Sequence, residues 1–477
     1  MLNADGMEIL HVSAECYPVA KVGGLGDVVG ALPKYEQEEG CIAKVVMPCY
    51  KTKFLENNEF ELVHQAGTWV GPSWFHFNVL KEKTNKLGFD LYLLDIPGLL
   101  DTEGVYGYAN DTERFVAFQV AVLDWVASWQ HRPDAIHCHD HHSGLIPFMA
   151  SYCLKYISLR AVPTVLTIHN AQYQGQFGWD IMHWIPAFDP WKAGLLDWGG
   201  VINPLASAIK CSWRVTTVSP GYMEELTYAA NGLESLIRSE RAKCSGILNG
   251  IDTSVWDPQQ DDMIRKGYSA RNVVSGKLAN KKALCEVFGF DEDKPLVSFI
   301  GRLVYDKGAD LLPDIIGRAL YENDNQVNFL VLGSGDPHIE WSLEQLKQYV
   351  GKEFNTYIGY NEALSHLIYA GSDFLLMPSR VEPCGLNQLY SLRYGTVPMV
   401  RSIGGLKDTV IDFGDEGGYG IRFDHPSVWD ACYSVGRAIE LYRNRTHLNT
   451  LRRLMMKLDF SWQKSAMQYL DLYNSLK

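Results

Sequence analysis

"KVGGLGDVVGALP", Lys21 to Pro33, follows an apolar run, "MEILHVSAECYP" (Met7 to Pro18), that reads as a buried strand. A strand, a glycine turn and a helix opening behind it make the first βα unit of a doubly wound α/β domain. The same corner suits an anion, because the first N–H groups of a helix are unpaired and glycine lets a ligand approach the backbone. The spacing is not that of a dinucleotide fingerprint. Gly24 and Gly26 fit, but the third glycine stands at Gly30, where the pattern needs residue 29, which is Val29. Nor is it a Walker loop, since Lys21 precedes the glycines. A tight turn that only packs helix on strand would use the same residues, so this segment alone leaves both readings open.

Outward from that unit, short apolar runs alternate with amphipathic stretches. "AKVVMPCY", "FDLYLLDIPG", "PDAIHCHD", "VPTVLTIHN" and "WRVTTVSPG" read as buried strands, and "TERFVAFQVAVLDWVASWQ" as a helix with Thr112 at its N-cap. The pattern restarts after "GILNGID" (Gly246 to Asp252) with "PLVSFIGRLVYDKG", "VNFLVLGSGD", "YIGYNEA", "SDFLLMPSR" and "TVPMVRSIGG". Alternation of this kind implies parallel sheets covered by helices on both faces. We therefore expect two doubly wound, Rossmann-like α/β domains, residues 1–245 and 246–455. An amphipathic C-terminal segment, 456–477, is expected to return as a helix to the first domain.

Composition narrows the class. A chain of 477 residues exceeds one hydrophobic core, and 47% apolar with 21% charged residues is ordinary for a globular protein. A net charge of −13 argues against nucleic acid or an anionic membrane as the main partner. No apolar stretch approaches the roughly 20 residues that span a bilayer. No basic segment followed by an apolar one stands at the N-terminus, so no secretory signal is expected. Ten scattered cysteines without a Cys-x-x-Cys pair read as buried reduced thiols, which suits the cytoplasm. The 13 Trp and 25 Tyr include candidates for sugar platforms, but most belong to a core.

In open parallel sheets ligands bind beyond the carboxyl ends of the strands. "FIGRLVYDKGADLL" places Arg302 and Lys307 directly after a strand, where a fork and a point charge can converge on a diphosphate. "PSRVEPCGLNQ" places Glu382 before a helix that Gly385 is expected to open, where it can accept from sugar hydroxyls. "SIGGLKDTV" adds Gly404 and Gly405 after another strand. For Arg302 and Lys307 the plain alternative is two solvated surface charges, and for Glu382 a helix-capping carboxylate. "AIHCHDHHSG" packs His137, His139, Asp140, His141 and His142 together, with His169 in "TIHNAQ". A metal would need a further ligand cluster that the sequence does not show, so a polar site for a hydroxylated substrate fits better. His169 as a satisfied core histidine remains the plain reading.

Taken together, "KVGGLGDVVGALP", "HCHDHHSG", "TIHNAQYQG", "TTVSPGY", "GILNGIDTSVWDP", "GRLVYDKGADLL", "PSRVEPCGLNQLYSLRYGTVPMVRSIGGLKDTV" and "FSWQ" resemble the bacterial glycogen synthases and plant starch synthases. The motifs run in order from residue 21 to residue 462. The resemblance implies the GT-B architecture, two Rossmann-like domains facing a cleft. It implies retaining transfer of glucose from ADP-glucose to the non-reducing-end 4-hydroxyl of an α-1,4-glucan, with ADP as product.

By the same resemblance Lys21, Gly23 and Gly24 lie beside the donor's diphosphate and glucose. Arg302 and Lys307 hold the diphosphate, Glu382 sits at the glucose ring, and Asp140 and His169 line the sugar. Tyr360 lies by the base, Gly404 and Gly405 near the nucleotide, and Asn249, Cys384, Gly385, Leu386 and Asn387 complete the donor set. We expect no cofactor, no metal and a cytoplasmic location, and a site assembled from both domains implies closure that expels water. Two departures stand out. Other retaining GT-B enzymes carry a second glutamate eight positions after the first, where this chain has Tyr390, and Asn387 replaces the threonine of several relatives. The rival readings are a GT-B transferase with another donor or acceptor, a phosphorylase, and a glucan-binding protein without catalysis. A phosphorylase would need a lysine-bound pyridoxal phosphate and a longer chain, and mere binding would not need cations and a carboxylate at three strand ends.

Overall fold

The computed structural model describes residues 6–476. The chain divides into two compact units, Met1–Leu248 with Trp462–Lys477, and Asn249–Ser461. The divisions fall a few residues beyond the expected 245/246 and 455/456, for a reason visible in the backbone. Cys244–Gly246 pairs as an edge strand of the first sheet, while the Ile251 amide donates to the Phe460 carbonyl within the second unit at 2.9 Å.

The first unit carries β1 (Glu8–Val12), β2 (Ile42–Pro48), β3 (Phe60–Val70), β4 (Ser73–Glu82), β5 (Asp90–Asp95), β6 (Ala135–His139) and β7 (Thr164–Ile168). A two-residue ribbon, β8 (Asp197–Trp198) and β9 (Val201–Ile202), precedes β10 (Arg214–Thr217) and β11 (Cys244–Gly246). The sheet order is β11-β10-β7-β6-β1-β2-β5-β4-β3. It is parallel from β11 to β5, as the buried apolar runs predict. The pairing β5-β4-β3 is antiparallel, an edge hairpin that the apolar runs did not announce. Its residues are largely half-exposed, so they lack the continuous apolar signature of a central strand.

The helix Gly24–Glu38 packs Val28 and Leu32 into one cluster with Ile9 of β1 and with Trp462, Tyr469, Leu470 and Tyr473 of the C-terminal helix Trp462–Asn474. Ser465 Oγ ties that helix to the Leu248 carbonyl at 2.6 Å. The helix Asp111–Ala127 starts with Asn110, not Thr112, at its N-cap, and no side chain caps it.

The second unit is wholly parallel: β12 (Leu296–Ile300), β13 (Asn328–Gly333), β14 (Phe354–Ile358), β15 (Phe374–Met377), β16 (Val397–Arg401) and β17 (Ile421–Phe423), in the order β14-β13-β12-β15-β16-β17. The strand order reverses between β1 and β6 in the first sheet and between β12 and β15 in the second. Those are the points where open sheets leave a crevice at their carboxyl ends. All ten cysteines are free thiols, nine of them buried. Among the described residues no helix is long and apolar enough to cross a membrane.

Candidate active site

In the first unit the glycine corner follows β1. Lys21 is exposed, and its ammonium donates to Asp27 Oδ1 at 2.6 Å. Burial raises the Asp27 pKa and the Lys21 charge opposes the shift. Glu15, buried beyond β1, braces the loop. Its Oε2 accepts from the Val22 and Gly23 amides at 2.6 and 3.0 Å, and its Oε1 from the Tyr106 hydroxyl at 2.7 Å.

The glycines then separate into two kinds. A Cβ on Gly30 would stand 2.4 Å from the Tyr17 carbonyl oxygen, so Gly30 is required for packing. A Cβ on Gly23 or Gly24 would meet nothing within 4 Å. Nothing among the described residues therefore demands glycine at those two positions, and the backbone beside Lys21 is left open to approach.

β6 delivers the histidines. His137 and His139 share one face, with ring centroids 4.3 Å apart. Asp140 follows at φ 55° and accepts the His169 amide at 2.7 Å. Burial raises the Asp140 pKa to about 7, against the pull of the His169 and Asn170 amides. His169 is buried and its pKa falls to about 3 through desolvation. The metal reading needed a further ligand beside His137 and His139. The structure supplies His11, and ring nitrogens of these three lie within 4.8 Å of one another. Each of those nitrogens already meets a hydrogen-bonding partner, as detailed below, so the trio offers no spare lone pair as arranged.

In the second unit the loops after β12 and β15 are knitted together. The Arg380 and Val381 amides donate to the Asp306 carbonyl at 2.7 and 3.2 Å, and the Arg380 guanidinium forks onto Asp310 at 2.5 and 2.9 Å. Lys307 Nζ reaches Glu382 Oε1 at 2.5 Å, and Ser379 Oγ donates to Glu382 Oε2 at 2.9 Å. Arg302 stands exposed just past β12 and forms no ion pair among the described residues. The fold therefore places Arg302, Lys307 and Glu382 at one switch point.

The glycine pair Gly404–Gly405 belongs to the same corner for a different reason from the one expected. A Cβ at either would run into the Glu382 or Cys384 carbonyl oxygen at 2.1 or 2.2 Å, so these glycines admit the chain's own Glu-Pro-Cys loop. Gly385 does not open the helix. It sits at φ 76°, and the helix runs Asn387–Arg393 behind Leu386. Asn387 does not face outward either, because its amide donates to the Ile300 carbonyl at 2.6 Å and ties that helix to the end of β12. Cys384 is buried, which raises its thiol pKa to about 12, and it accepts the Asn249 amide. The Asn249 carboxamide oxygen is buried and finds no partner among the described residues. Tyr360, just past β14, is 84% exposed. Tyr390, at the second-glutamate position, stacks on Trp256 at 3.8 Å and is used as an aromatic wall.

Two doubly wound units, each carrying its polar cluster where the strand order reverses, are the hallmark of the GT-B glycosyltransferases. The comparisons sharpen the class. Residues 8–239 match the model of the starch synthase catalytic domain, and residues 280–431 that of the group 1 glycosyl transferases. The chain is 54% identical to a glycogen synthase of Flavobacterium johnsoniae over 98% of its own length and 99% of the relative's. It is 36% identical to one of Bacillus cereus over 98% and 100%. The solved catalytic domain of starch synthase IV from Arabidopsis thaliana, bound to ADP and acarbose, superposes with a TM-score of 0.87 at 31% identity, covering 99% of both chains. Sucrose-phosphate synthase from Thermosynechococcus elongatus shares the fold, with a TM-score of 0.61 at 17% identity over 98% and 99%. The chain belongs to the glycogen synthase family.

Glu15, Tyr106, His11 and Glu36 escaped the sequence reading. Glu15 gave a signal, since a carboxylate inside the apolar run "HVSAECYP" must find donors. The other three gave none.

Proposed function

We propose that the protein extends an α-1,4-glucan, moving glucose from ADP-glucose to the 4-hydroxyl at the non-reducing end with retention at the anomeric carbon, in glycogen biosynthesis. The observation that carries this reading is the cluster of Arg302, Lys307 and Glu382 at the β12–β15 switch point. A nucleotide sugar needs cations at its diphosphate and a carboxylate at its hydroxyls.

Breaking the anomeric bond leaves positive charge on the sugar and negative charge on the departing diphosphate. Arg302 and Lys307 take the second, a preorganised stabilisation that often dominates catalysis. Glu382, held by Lys307 and Ser379, keeps lone pairs for the glucose hydroxyls. Asp140 pins the His169 backbone, whose carbonyl faces the cationic sugar in this reading. A retaining hydrolase would pair two carboxylates about 5–5.5 Å apart. Here the leaving phosphate oxygen accepts the proton of the incoming 4-hydroxyl on the same face, so one glycosidic bond forms as the sugar–phosphate bond breaks. This chemistry asks for no metal and no cofactor. ADP as the donor's nucleotide is supported by the starch synthase IV structure, which holds ADP with acarbose. The free thiols suit a cytoplasmic enzyme.

The test is to supply glucose-labelled ADP-glucose or UDP-glucose with glycogen. Label entering polymer from ADP-glucose supports the proposal. Exclusive use of UDP-glucose overturns the donor assignment, and no incorporation from either overturns the activity.

A further inference from the structure

Behind His169 the first unit buries a continuous line of hydrogen bonds. His169 Nε2 lies 3.0 Å from His139 Nδ1, and His139 Nε2 lies 3.1 Å from His11 Nδ1. His11 Nε2 lies 2.7 Å from Glu36 Oε2. A second branch reaches the same carboxylate. The Tyr473 hydroxyl donates to Glu36 Oε1 at 2.9 Å and lies 2.7 Å from His137 Nδ1, while Thr167 Oγ1 lies 2.6 Å from His137 Nε2. His11, Glu36, His137, His139 and Thr167 are all fully buried.

The proton count along such a line is constrained. A neutral imidazole has one N–H donor and one lone-pair acceptor, whereas a carboxylate only accepts. Three linked neutral rings can therefore point their N–H groups in either of two directions, and the group at the end decides which. Glu36 is the one carboxylate on the line. It draws the Nε2–H of His11, which leaves His11 Nδ1 to accept from His139 Nε2–H, and His139 Nδ1 to accept from His169 Nε2–H. Burial lowers the pKa values of His139 and His169, consistent with neutral rings at those two links. His169 Nδ1 then remains with its lone pair, and it meets no partner among the described residues.

We propose that Glu36 is a positioning residue for glucosyl transfer, fixing His169 through His11 and His139 in the Nε2–H tautomer so that Nδ1 accepts a hydroxyl of the donor sugar. This rests on the reading of His169 as a sugar-facing residue given above. A buried carboxylate that holds a histidine in one tautomer is the device by which hydrolase triads keep their base correctly presented.

The direct test needs no variant. Protein labelled with ¹⁵N at the imidazoles is examined at pH 7.5 by long-range ¹H–¹⁵N correlation, with His169→Gln to assign the signal. A neutral His169 protonated at Nε2 is expected. Protonation at Nδ1, or at both nitrogens, overturns the proposal. Glu36→Leu removes the acceptor, so His11 turns its N–H toward His139, the line reverses, and His169 moves to the Nδ1–H form. The donor kcat/KM is then expected to fall tenfold or more, with the glucan KM unchanged. Tyr473→Phe, which breaks only the second branch, should cost stability while leaving the tautomer and kcat/KM as they were. Unchanged kcat/KM in Glu36→Leu overturns the positioning role. Failure of the unaltered protein to use any nucleotide sugar would instead defeat the functional reading and leave the tautomer result standing.

Discussion

Lys307 and Glu382 meet at 2.5 Å although 75 residues separate them in the chain, and only Lys307 retains appreciable exposure, 26% of its side chain against 7%. The pair joins the loop after β12 to the loop after β15, so under the proposed function a diphosphate held by Lys307 would lie beside the carboxylate as well. Arg302, on the same loop as Lys307, has no such partner among the described residues.

That contrast separates two substitutions with the same effect on rate. Lys307→Ala and Arg302→Ala should each lower turnover at least about 100-fold, the cost of losing one preorganised charge. Lys307→Ala also leaves the buried Glu382 short of a charged donor, a loss of about 1.5–3 kcal/mol in stability. Arg302→Ala should stay within about 0.5 kcal/mol of the parent. Steady-state turnover with urea unfolding of both variants checks this, and near-normal turnover in either removes that residue from the diphosphate.

The two kinds of glycine make a second prediction. Gly24→Ala places a methyl in open space on the first turn of a helix, so the fold should be unharmed while donor kcat/KM drops. Gly30→Ala drives a methyl against the Tyr17 carbonyl and should destabilise the first unit by about 1–3 kcal/mol. Thermal unfolding and donor titration of the pair would show opposite patterns. Equal loss of stability in both would refute the distinction.

Acid should unfold the first unit early. Burial holds His137, His139, His141, His142 and His169 below the ordinary histidine range, His141 at about 4 and His169 at about 3. Between those values and 6.5 the unfolded chain binds more protons than the folded one. Stability therefore rises with pH through that window and is lost as pH falls below 6.5, at about 1.4 kcal/mol per pH unit for each fully shifted ring. Asp140 opposes the trend with one group. Its raised pKa lets the folded state hold an extra proton between 3.8 and about 7, so its contribution fades as pH rises. Asp140→Asn should accordingly be at least as stable as the parent at pH 8 while losing activity. Urea midpoints at pH 5, 6, 7 and 8 measure both effects, and a flat profile from 8 to 5 would contradict them.

Prolonged chelation should leave turnover unchanged, because His11 and His139 are bonded to each other and to Glu36 and His169, and His137 to Tyr473 and Thr167. Activity lost to chelator and restored by zinc would show that the trio binds an ion in solution.

What the sequence disclosed follows the range of the forces involved. Buried parallel strands are written as local apolar runs, so "PDAIHCHD" and "SDFLLMPSR" were legible. The position of Lys307 and Glu382 in loops just beyond strands was legible too, because those strands are themselves apolar runs. The hairpin Phe60–Glu82 was not, since an exposed edge needs no continuous apolar run. The helix starts at Asp111 and Asn387 were misplaced by one to two residues, the second because Gly385 takes a left-handed conformation. The line from His169 to Glu36 was invisible for a deeper reason. Its links join β1, β6, the segment after β7 and the helix Gly24–Glu38, and the Tyr473 to Glu36 contact spans 437 positions. No local pattern encodes a bond of that length.

The return of Trp462–Asn474 to the first unit bears on how the protein is made. A ribosome releases β1 and the helix Gly24–Glu38 early, yet the cluster around Ile9 and Val28 lacks Trp462, Tyr469 and Tyr473 until all of Asn249–Ser461 has been synthesised. The nascent first half must therefore wait with apolar surface uncovered while the second half emerges and folds as an uninterrupted segment, so the first-begun domain is the last to be completed.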